Sequence, residues 1–179
     1  QEFACEAMLN SIKKDLKDFG IVFDRWYSED KELRENGLVM TAIKELEKKG
    51  FVFVEDGAKW FRTMQFGDDK NRVLIKADGE QTYFASDAAY HKNKIERGFD
   101  TIINVWGADH HGYEARVRAV FKALGYDDSM LKIVFIQLVA LLRNGAPVAM
   151  GKREGEFITL RQVLDEVGKD ACRFFFLMR

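Results

Sequence analysis

The order of strand and helix patterns in the second half of the chain constrains the fold more than any other feature. A β-rich run at 101–106 ends at Gly107 and leads into a helical pattern that closes at Gly125. A second apolar run follows at 133–142, and we expect it to be a buried strand or another core element. A strand, a helix and a strand in this order predict a parallel sheet, whose ligand sites lie beyond the carboxyl ends of its strands. The chain is therefore predicted to be an α/β protein.

The first half of the chain predicts helices followed by small hairpins. Apolar residues at helical spacing indicate one helix that ends at Gly20 and another that ends at Gly50, with a turn-like segment at 24–36 between them. From there short aromatic runs alternate with Asp-Gly turns, so we expect a small β-hairpin insertion at about 51–84. The segment 87–94 is predicted to be helical.

The C-terminal part predicts a helical tail. Thr159 and Gln162 have the spacing of a capping box, which begins a helix that ends at Gly168. We expect one domain over 1–160, with the helical tail at 161–179.

Composition indicates an ordinary compact protein. The chain is 47% hydrophobic and has a net charge of −1, so any contact with RNA depends on a local patch. Its apolar runs are too short to span a membrane, which needs about 20 residues. Cys5 and Cys172 are isolated, lack the spacing of a zinc site, and are expected to be buried, reduced thiols of a cytoplasmic protein.

The loop after the first strand of this sheet carries candidate ligand-binding residues. Gly107 allows the backbone to approach a ligand, and Asp109 can accept hydrogen bonds from both hydroxyls of a ribose. His110 and His111 can donate to a phosphate or a carboxylate, or act as a pair on a metal. A polar turn that caps the next helix is the structural alternative.

A second segment places two cations between glycines. Lys152 and Arg153 follow Gly151 and precede Gly155, so the loop can close over a ligand. An ammonium is a compact charge that suits a polyphosphate. A solvated surface turn is the alternative for this segment.

A third segment pairs a phenol with a carboxylate. Tyr83 and Asp87 are four residues apart and share one side of a helix, if the segment is helical. A planar guanidinium binds such a pair well, because the carboxylate accepts two parallel hydrogen bonds and the phenol oxygen accepts another. In the alternative, Tyr83 belongs to the core and Asp87 caps the helix.

Together these segments resemble class I aminoacyl-tRNA synthetases, and among them arginyl-tRNA synthetase. Asp24, Arg25, Trp26, Ser28 and Glu29 fit upstream of the main stretches. The stretches that carry the resemblance are FGDDKNRVL at 66–74, TYFASDAAYH at 82–91, WGADHHGY at 106–113, MGKREGEFITL at 150–160 and DACRFFF at 170–176. Several long motifs in one order are far more specific than a lone glycine motif.

The resemblance implies a fold and a set of roles. The fold is the second half of a Rossmann-like nucleotide-binding domain, with parallel strands, the hairpin insertion and a helical tail. Such enzymes activate an amino acid with ATP, here with Mg²⁺, and transfer it to tRNA. The implied catalytic residues are Lys152 and Arg153. The implied ATP-binding residues are Gly107, Asp109, His110, Val148, Met150 and Gly151. The implied arginine-binding residues are Tyr83, Asp87 and His111, and no metal-ligating residue is implied.

The sequence departs from the family pattern in the loop that corresponds to KMSKS. Ala149 replaces the first lysine of that motif and Gly151 replaces its serine, whereas Lys152 retains the second lysine. Glu156 stands where asparagine is usual. The HIGH motif does not occur, so we expect the C-terminal half of a catalytic domain, leading into the helical connection to an anticodon-binding domain and inactive by itself.

The expected function is that of an arginine–tRNA ligase, with L-arginine, ATP and tRNA(Arg) as partners and no membrane contact. Two alternatives remain open. In the first, the chain belongs to another class I synthetase and Asp87 serves a different amino acid. In the second, it is a non-catalytic paralogue that binds nucleotide or RNA.

Overall fold

The computed structural model of the chain describes residues 2–137, 139–147 and 158–178. Two compact units divide the chain. The central unit is Tyr27–Leu138, and the terminal unit combines Gln1–Trp26 with Val139–Arg179. Both helices and strands are present, so the predicted α/β class is confirmed.

Most helices and strands follow the chain in the predicted order, and a short hairpin at 142–147 was not predicted. The α-helices of the described residues are α1 (Glu2–Phe19), α2 (Leu38–Lys48), α3 (Tyr83–Glu96), α4 (Glu114–Leu124), α5 (Leu160–Val167) and α6 (Lys169–Leu177). Their strands are β1 (Val52–Glu55), β2 (Ala58–Phe61), β3 (Arg72–Ile75), β4 (Ile102–Gly107), β5 (Leu131–Ile136), β6 (Leu142–Arg143) and β7 (Ala146–Pro147). Short 3₁₀ turns lie at Thr63–Phe66, Ala108–Tyr113 and Asp128–Met130.

The segment predicted as turn-like contains a π-helix at Glu29–Arg34. Ser28 begins it, and the Ser28 backbone N–H donates to Glu32 Oε1 at 2.9 Å. Leu33 anchors the π-helix, because its side chain is fully buried in the core of the central unit. A single π turn has no distinctive periodicity, so the pattern of apolar residues did not reveal it.

The hairpin region forms a three-stranded antiparallel sheet in the order β1-β2-β3. Asp56 and Gly57 both have positive φ at the β1–β2 turn, as an Asp-Gly hairpin turn requires. Phe61 is fully buried, and its ring stacks on Phe84 of α3 with centroids 6.2 Å apart. The predicted hairpins are confirmed, and they pack against the helix that carries Asp87.

The predicted parallel sheet is confirmed by β4 and β5, which pair from Ile102↔Leu131 to Gly107↔Ile136. The expectation of a wholly buried strand at 133–142 is wrong, because the strand ends at Ile136 and alternates between buried and exposed positions. Side chains alternate between the two faces of a strand, and in the central unit only one face of this sheet meets the core. The exposed apolar side chains of the other face are Ile103, Val105, Val134 and Ile136.

Helices α2, α3 and α4 build the core of the central unit. Alanines of α3 at 85, 88 and 89 are buried, and their small side chains allow neighbouring helices to approach closely. Val117 and Phe121 of α4 are fully buried in a second cluster with Ile102 and Leu131 of the parallel sheet. Burial of large apolar side chains stabilises by roughly 1.5–3 kcal/mol each, so these clusters hold α3 and α4 firmly beside β4.

The terminal unit packs α1 against α5 and α6. Arg161 donates to Asp15 Oδ1 at 2.7 Å and also pairs with Asp18. The predicted capping box of Thr159 and Gln162 is confirmed, since each side chain meets the backbone N–H of the other residue.

The two cysteines differ in burial. Cys172 is buried, as predicted, whereas the prediction for Cys5 is wrong. Cys5 lies near the start of α1, where the described side chains around it are exposed. Within the described ranges, no helix is long and apolar enough to cross a membrane.

Candidate functional site

The loop after β4 forms a 3₁₀ turn at the carboxyl end of the parallel sheet. Asp109 and His110 are exposed there, and His110 Nδ1 lies 3.2 Å from Asp109 Oδ1. A Cβ atom added to Gly107 would stand only 2.5 Å from Asp109 Oδ1. The glycine therefore allows the Asp109 carboxylate to lie over the end of the strand, which is the place where α/β proteins bind ligands.

His111 occupies a separate part of this region. Its ring stacks on Phe135 of β5 with centroids 3.6 Å apart. The side chain also lines an open groove of about 370 Å³, whose lining residues are Phe66, Gly67, His111, Glu114, Ala115, Arg118 and Lys122. Asp87 and Tyr83 do not line that groove.

Asp87 lies inside α3, and its carboxylate is directed at the end of the loop. Asp87 Oδ2 accepts a hydrogen bond of 2.6 Å from the Tyr113 hydroxyl. The suggestion that Asp87 caps the helix is wrong, because Thr82 is the N-cap and accepts a hydrogen bond from the Ala85 backbone N–H. The Asp87 carboxylate therefore does not begin the helix, and it faces the end of the loop that follows β4.

Burial raises the pKa of Asp87, and the carboxylate of Glu29 raises it further. The hydrogen bond from Tyr113 and the cations of Lys94 and Arg116 act in the opposite direction. Asp87 is thus a half-buried carboxylate whose ionised form depends on its neighbours. Such a group stabilises a cation that enters beside it.

Tyr83 begins α3, one turn before Asp87, and its side chain is 86% exposed. The suggestion that Tyr83 belongs to the core is therefore wrong. Among the described residues, none forms a hydrogen bond with its phenol. Helical spacing puts Tyr83 on the same side of α3 as Asp87, but farther out towards solvent.

Tyr113 is a site residue that the sequence did not single out. Its ring makes edge contacts with Trp106 at 5.9 Å and with Phe84 at 6.3 Å, and the Arg116 guanidinium lies 4.4 Å from its centroid. Burial, followed by the hydrogen bond to Asp87, raises the pKa of Tyr113. Its place as the last residue of the loop was visible in the sequence, but its contact with α3 requires the tertiary fold.

A chain of buried polar groups continues from Asp87 along α3. His91 Nδ1 lies 2.8 Å from the Asp87 carbonyl oxygen, which accepts a hydrogen bond from it. Asn104 of β4 donates to His91 Nε2 at 2.8 Å and accepts from Lys94 Nζ at 3.0 Å. Burial lowers the pKa of His91 to about 4, so the ring is neutral and each nitrogen has one role. These bonds tie α3 to the parallel sheet beside the candidate site.

Part of the predicted site lies outside the described residues. The residues concerned are Val148, Met150, Gly151, Lys152 and Arg153. Over the ranges that are described, no group of three or more histidine, cysteine, aspartate or glutamate side chains is arranged to hold a metal ion.

Comparison with known proteins gives a consistent result. The family model described as tRNA synthetases class I (R), catalytic domain, matches residues 5–175. A protein of Citrifermentans bemidjiense named arginine–tRNA ligase is 56% identical over 174 residues, which are 97% of this chain and 31% of that protein. The protein of the same name from Syntrophotalea carbinolica is 58% identical over 168 residues, or 94% of this chain and 30% of the relative. The chain thus spans about a third of the length of the curated relatives it matches.

Two solved structures that resemble this chain are named for the same enzyme as these relatives. A Campylobacter jejuni crystal structure assigned to arginyl-tRNA synthetase superposes with a TM-score of 0.90 and 38% identity, covering 99% of this chain and 38% of that one. The arginyl-tRNA synthetase of Thermus thermophilus shares the fold, with a TM-score of 0.59 at 20% identity over 73% of this chain and 27% of its own. The family match covers nearly all of the sequence, and the expected resemblance is confirmed. The chain therefore belongs to the family of class I arginyl-tRNA synthetase catalytic domains.

Proposed function

We propose that this chain forms part of an arginine–tRNA ligase, which activates L-arginine with ATP and transfers the arginyl group to tRNA(Arg). In the first step an arginine carboxylate oxygen attacks the α-phosphorus of ATP, and pyrophosphate leaves. The observation that carries the proposal is the Asp87 carboxylate, half-buried in α3 and hydrogen-bonded to the loop at the end of β4. The names of the relatives support the same reaction.

The arginine guanidinium is assigned to Asp87 and Tyr83, and His111 is assigned to the polar end of the amino acid. The Tyr113 hydroxyl donates a hydrogen bond to Asp87 Oδ2, whereas no described residue donates one to Asp87 Oδ1. A guanidinium can therefore donate to Oδ1 and share the charge of the carboxylate. Tyr83 is exposed one turn earlier, where its phenol oxygen can accept a further N–H from the ligand.

ATP is assigned to the end of β4 and to the loop at 148–153. Asp109 and His110 would hold the ribose, with Gly107 allowing a close approach. The backbone at Val148 and Met150 would meet adenine beside Gly151, while Lys152 and Arg153 neutralise charge on the leaving pyrophosphate. Mg²⁺ is proposed to enter with ATP, since this ion prefers phosphate oxygens and its own waters.

The acceptor end of tRNA(Arg) is the proposed second substrate, and the cytoplasm is the proposed location, because charged tRNA is consumed there in translation. The net charge of −1 gives no general attraction to RNA. Binding of tRNA is thus proposed to depend on local contacts and on the rest of the ligase.

The test uses a chimeric ligase, because the chain spans about a third of its relatives. Residues 1–179 replace the matching segment of the Citrifermentans bemidjiense protein, and arginine-dependent exchange between ATP and pyrophosphate is measured. We expect exchange with arginine and none with lysine or glutamine. Circular dichroism and thermal unfolding establish that the chimera is folded.

A folded chimera that binds ATP or tRNA without catalysing exchange would instead favour the non-catalytic paralogue. Exchange supported by another amino acid would point to a different class I synthetase.

A further inference from the structure

We infer that Tyr113 is a positioning residue for arginine recognition: its hydroxyl holds the Asp87 carboxylate in the orientation and charge state that receive the guanidinium. This inference rests on the proposed function of Asp87. Tyr113 itself is not assigned a contact with arginine, since its hydroxyl hydrogen is already donated to Asp87.

The geometry of the pair supports this role. The distance of 2.6 Å between the Tyr113 hydroxyl and Asp87 Oδ2 is that of a charge-assisted O–H···O⁻ bond. A carboxylate terminal torsion is otherwise broad and rotates with little resistance. One oxygen bound to Tyr113 stops that rotation, so the other oxygen keeps a constant direction towards the ligand.

The Tyr113 ring is held in turn on several sides. Trp106 of β4 meets it at an interplanar angle of 87°, and Phe84 of α3 meets it at 81°. The Arg116 guanidinium covers the ring, and among the described residues its buried Nε finds no hydrogen-bond acceptor. The phenol therefore cannot turn away from Asp87 without disturbing two helices and a strand.

The charges around Asp87 act in opposite directions, so its ionised form depends on the hydrogen bond from the Tyr113 hydroxyl. Burial and the carboxylate of Glu29 favour the protonated acid, whereas Lys94 and Arg116 favour the carboxylate. Tyr113 supplies the hydrogen bond that stabilises the ionised form. Without this hydroxyl a proton competes more effectively with arginine for the same carboxylate.

Tyr113 also ends the turn that carries the proposed ribose contacts. Its ring lies 6.5 Å from that of His110, centroid to centroid. Removal of the hydroxyl leaves the ring and this contact in place. The inference thus predicts a loss that is confined to arginine and spares ATP.

The first experiment measures the carboxyl titration of Asp87 by ¹³C NMR in the 179-residue chain. Tyr113→Phe is expected to raise the pKa of Asp87 above its wild-type value. Tyr126→Phe is the matched control, since Tyr126 is half-buried in the same core and its hydroxyl forms no hydrogen bond with the described residues. An unchanged Asp87 titration in Tyr113→Phe would overturn the inference whatever the activity of the ligase.

A second variant covers the case in which Tyr113→Phe does not fold. Site-specific 3-fluorotyrosine at 113 keeps the ring and makes the hydroxyl a stronger donor. It is expected to lower the pKa of Asp87, and the absence of that shift would contradict the proposed bond.

The second experiment measures pyrophosphate exchange by the chimeric ligase. In Tyr113→Phe we expect KM for arginine to rise about tenfold, as for loss of a hydrogen bond to a charged group. We expect kcat and KM for ATP to change less than about threefold, because the remaining contacts of the site are unaltered. As the pH is lowered, KM for arginine should begin to rise at a higher pH in Tyr113→Phe than in the wild type, because Asp87 is protonated earlier. A purely structural defect would not produce this shift.

The outcomes separate the two claims. An active wild-type chimera whose Tyr113→Phe variant keeps its KM for arginine overturns the positioning role alone. A folded wild-type chimera without arginine-dependent exchange overturns the proposed function, and the inference with it.

Discussion

Arg72 forms a two-pronged ion pair with Asp68, with Nε 2.7 Å from Oδ2 and Nη2 2.8 Å from Oδ1. The Asp68 side chain is 1% exposed and that of Arg72 is 12% exposed, so the pair is shielded from water. It closes the turn between the Thr63–Phe66 segment and β3, and Thr63 supports the turn with a 2.7 Å bond to the Lys70 carbonyl. The turn borders the groove that His111 lines.

Asp68→Asn is expected to destabilise the chain by about 3–5 kcal/mol, because the buried guanidinium loses its counter-charge. Urea unfolding at neutral pH measures the difference. Asp69→Asn is the matched control: this neighbour contacts the same arginine but is 76% exposed, and exposed pairs contribute about 1 kcal/mol or less. Equal losses in the two variants would contradict the importance of burial.

Because His91 is buried, we expect the folded chain to lose stability in mild acid. Burial lowers its pKa in the folded chain to about 4, below the unfolded value of 6.5. Its contribution is therefore complete above about pH 6.5 and is lost as the pH falls towards 4, by on the order of 3 kcal/mol. Asp87 has the opposite sign, because its raised pKa favours the folded state at low pH.

Urea unfolding between about pH 7 and pH 4.5 tests this prediction, and His91→Gln is expected to flatten the dependence. His110→Gln serves as the control, since that histidine is exposed in the loop. A His91→Gln variant with the slope of the wild type would show that another group is responsible.

Gly107→Ala is expected to disturb ATP binding more than stability. The new Cβ would meet Asp109 Oδ1 at 2.5 Å, and the exposed carboxylate can turn away at little cost. We expect KM for ATP in the chimeric ligase to rise roughly two- to tenfold, as for one lost hydrogen bond. Gly112→Ala, in the same turn but with nothing near the added Cβ, should leave KM unchanged.

Lys152→Ala is expected to lower kcat for pyrophosphate exchange by about 10²–10³, with a smaller change in KM for arginine. Lys152 lies outside the described residues, so this prediction rests on its place in the family motif. Lys44→Ala, at an exposed position of α2, is the control. Equal losses in arginine binding and turnover would make Lys152 a binding or folding residue.

Asp87→Asn tests arginine recognition directly. The change keeps the shape but removes the charge, and loss of one partner of such a pair costs about 2–5 kcal/mol. We expect kcat/KM for arginine to fall at least about tenfold and the neutral analogue citrulline to lose much less. Steady-state exchange by the chimeric ligase with both amino acids gives the ratio. Equal effects on arginine and citrulline would show that Asp87 does not bind the guanidinium. Asp100→Asn, at an exposed position, is the control for the loss of one negative charge.

Local sequence signals determined most of the elements of this fold. The helices α1, α2 and α5 were predicted from apolar spacing and end residues, and the hairpins from Asp-Gly turns. These features depend on contacts within a few residues, so one sequence suffices to predict them. The order and length of the motif stretches identify the family from the sequence as well.

Contacts between distant segments were decided only by the tertiary structure. Tyr113 and Asp87 are 26 residues apart, and they meet because buried side chains pack α3 and α4 against β4. The same packing decided which face of β5 is exposed, although that face is mostly apolar, with Val134 and Ile136 beside Lys132. The spacing of apolar residues predicts the secondary structure of a segment. Which neighbour each face of that segment packs against depends on the free energy of packing the whole unit.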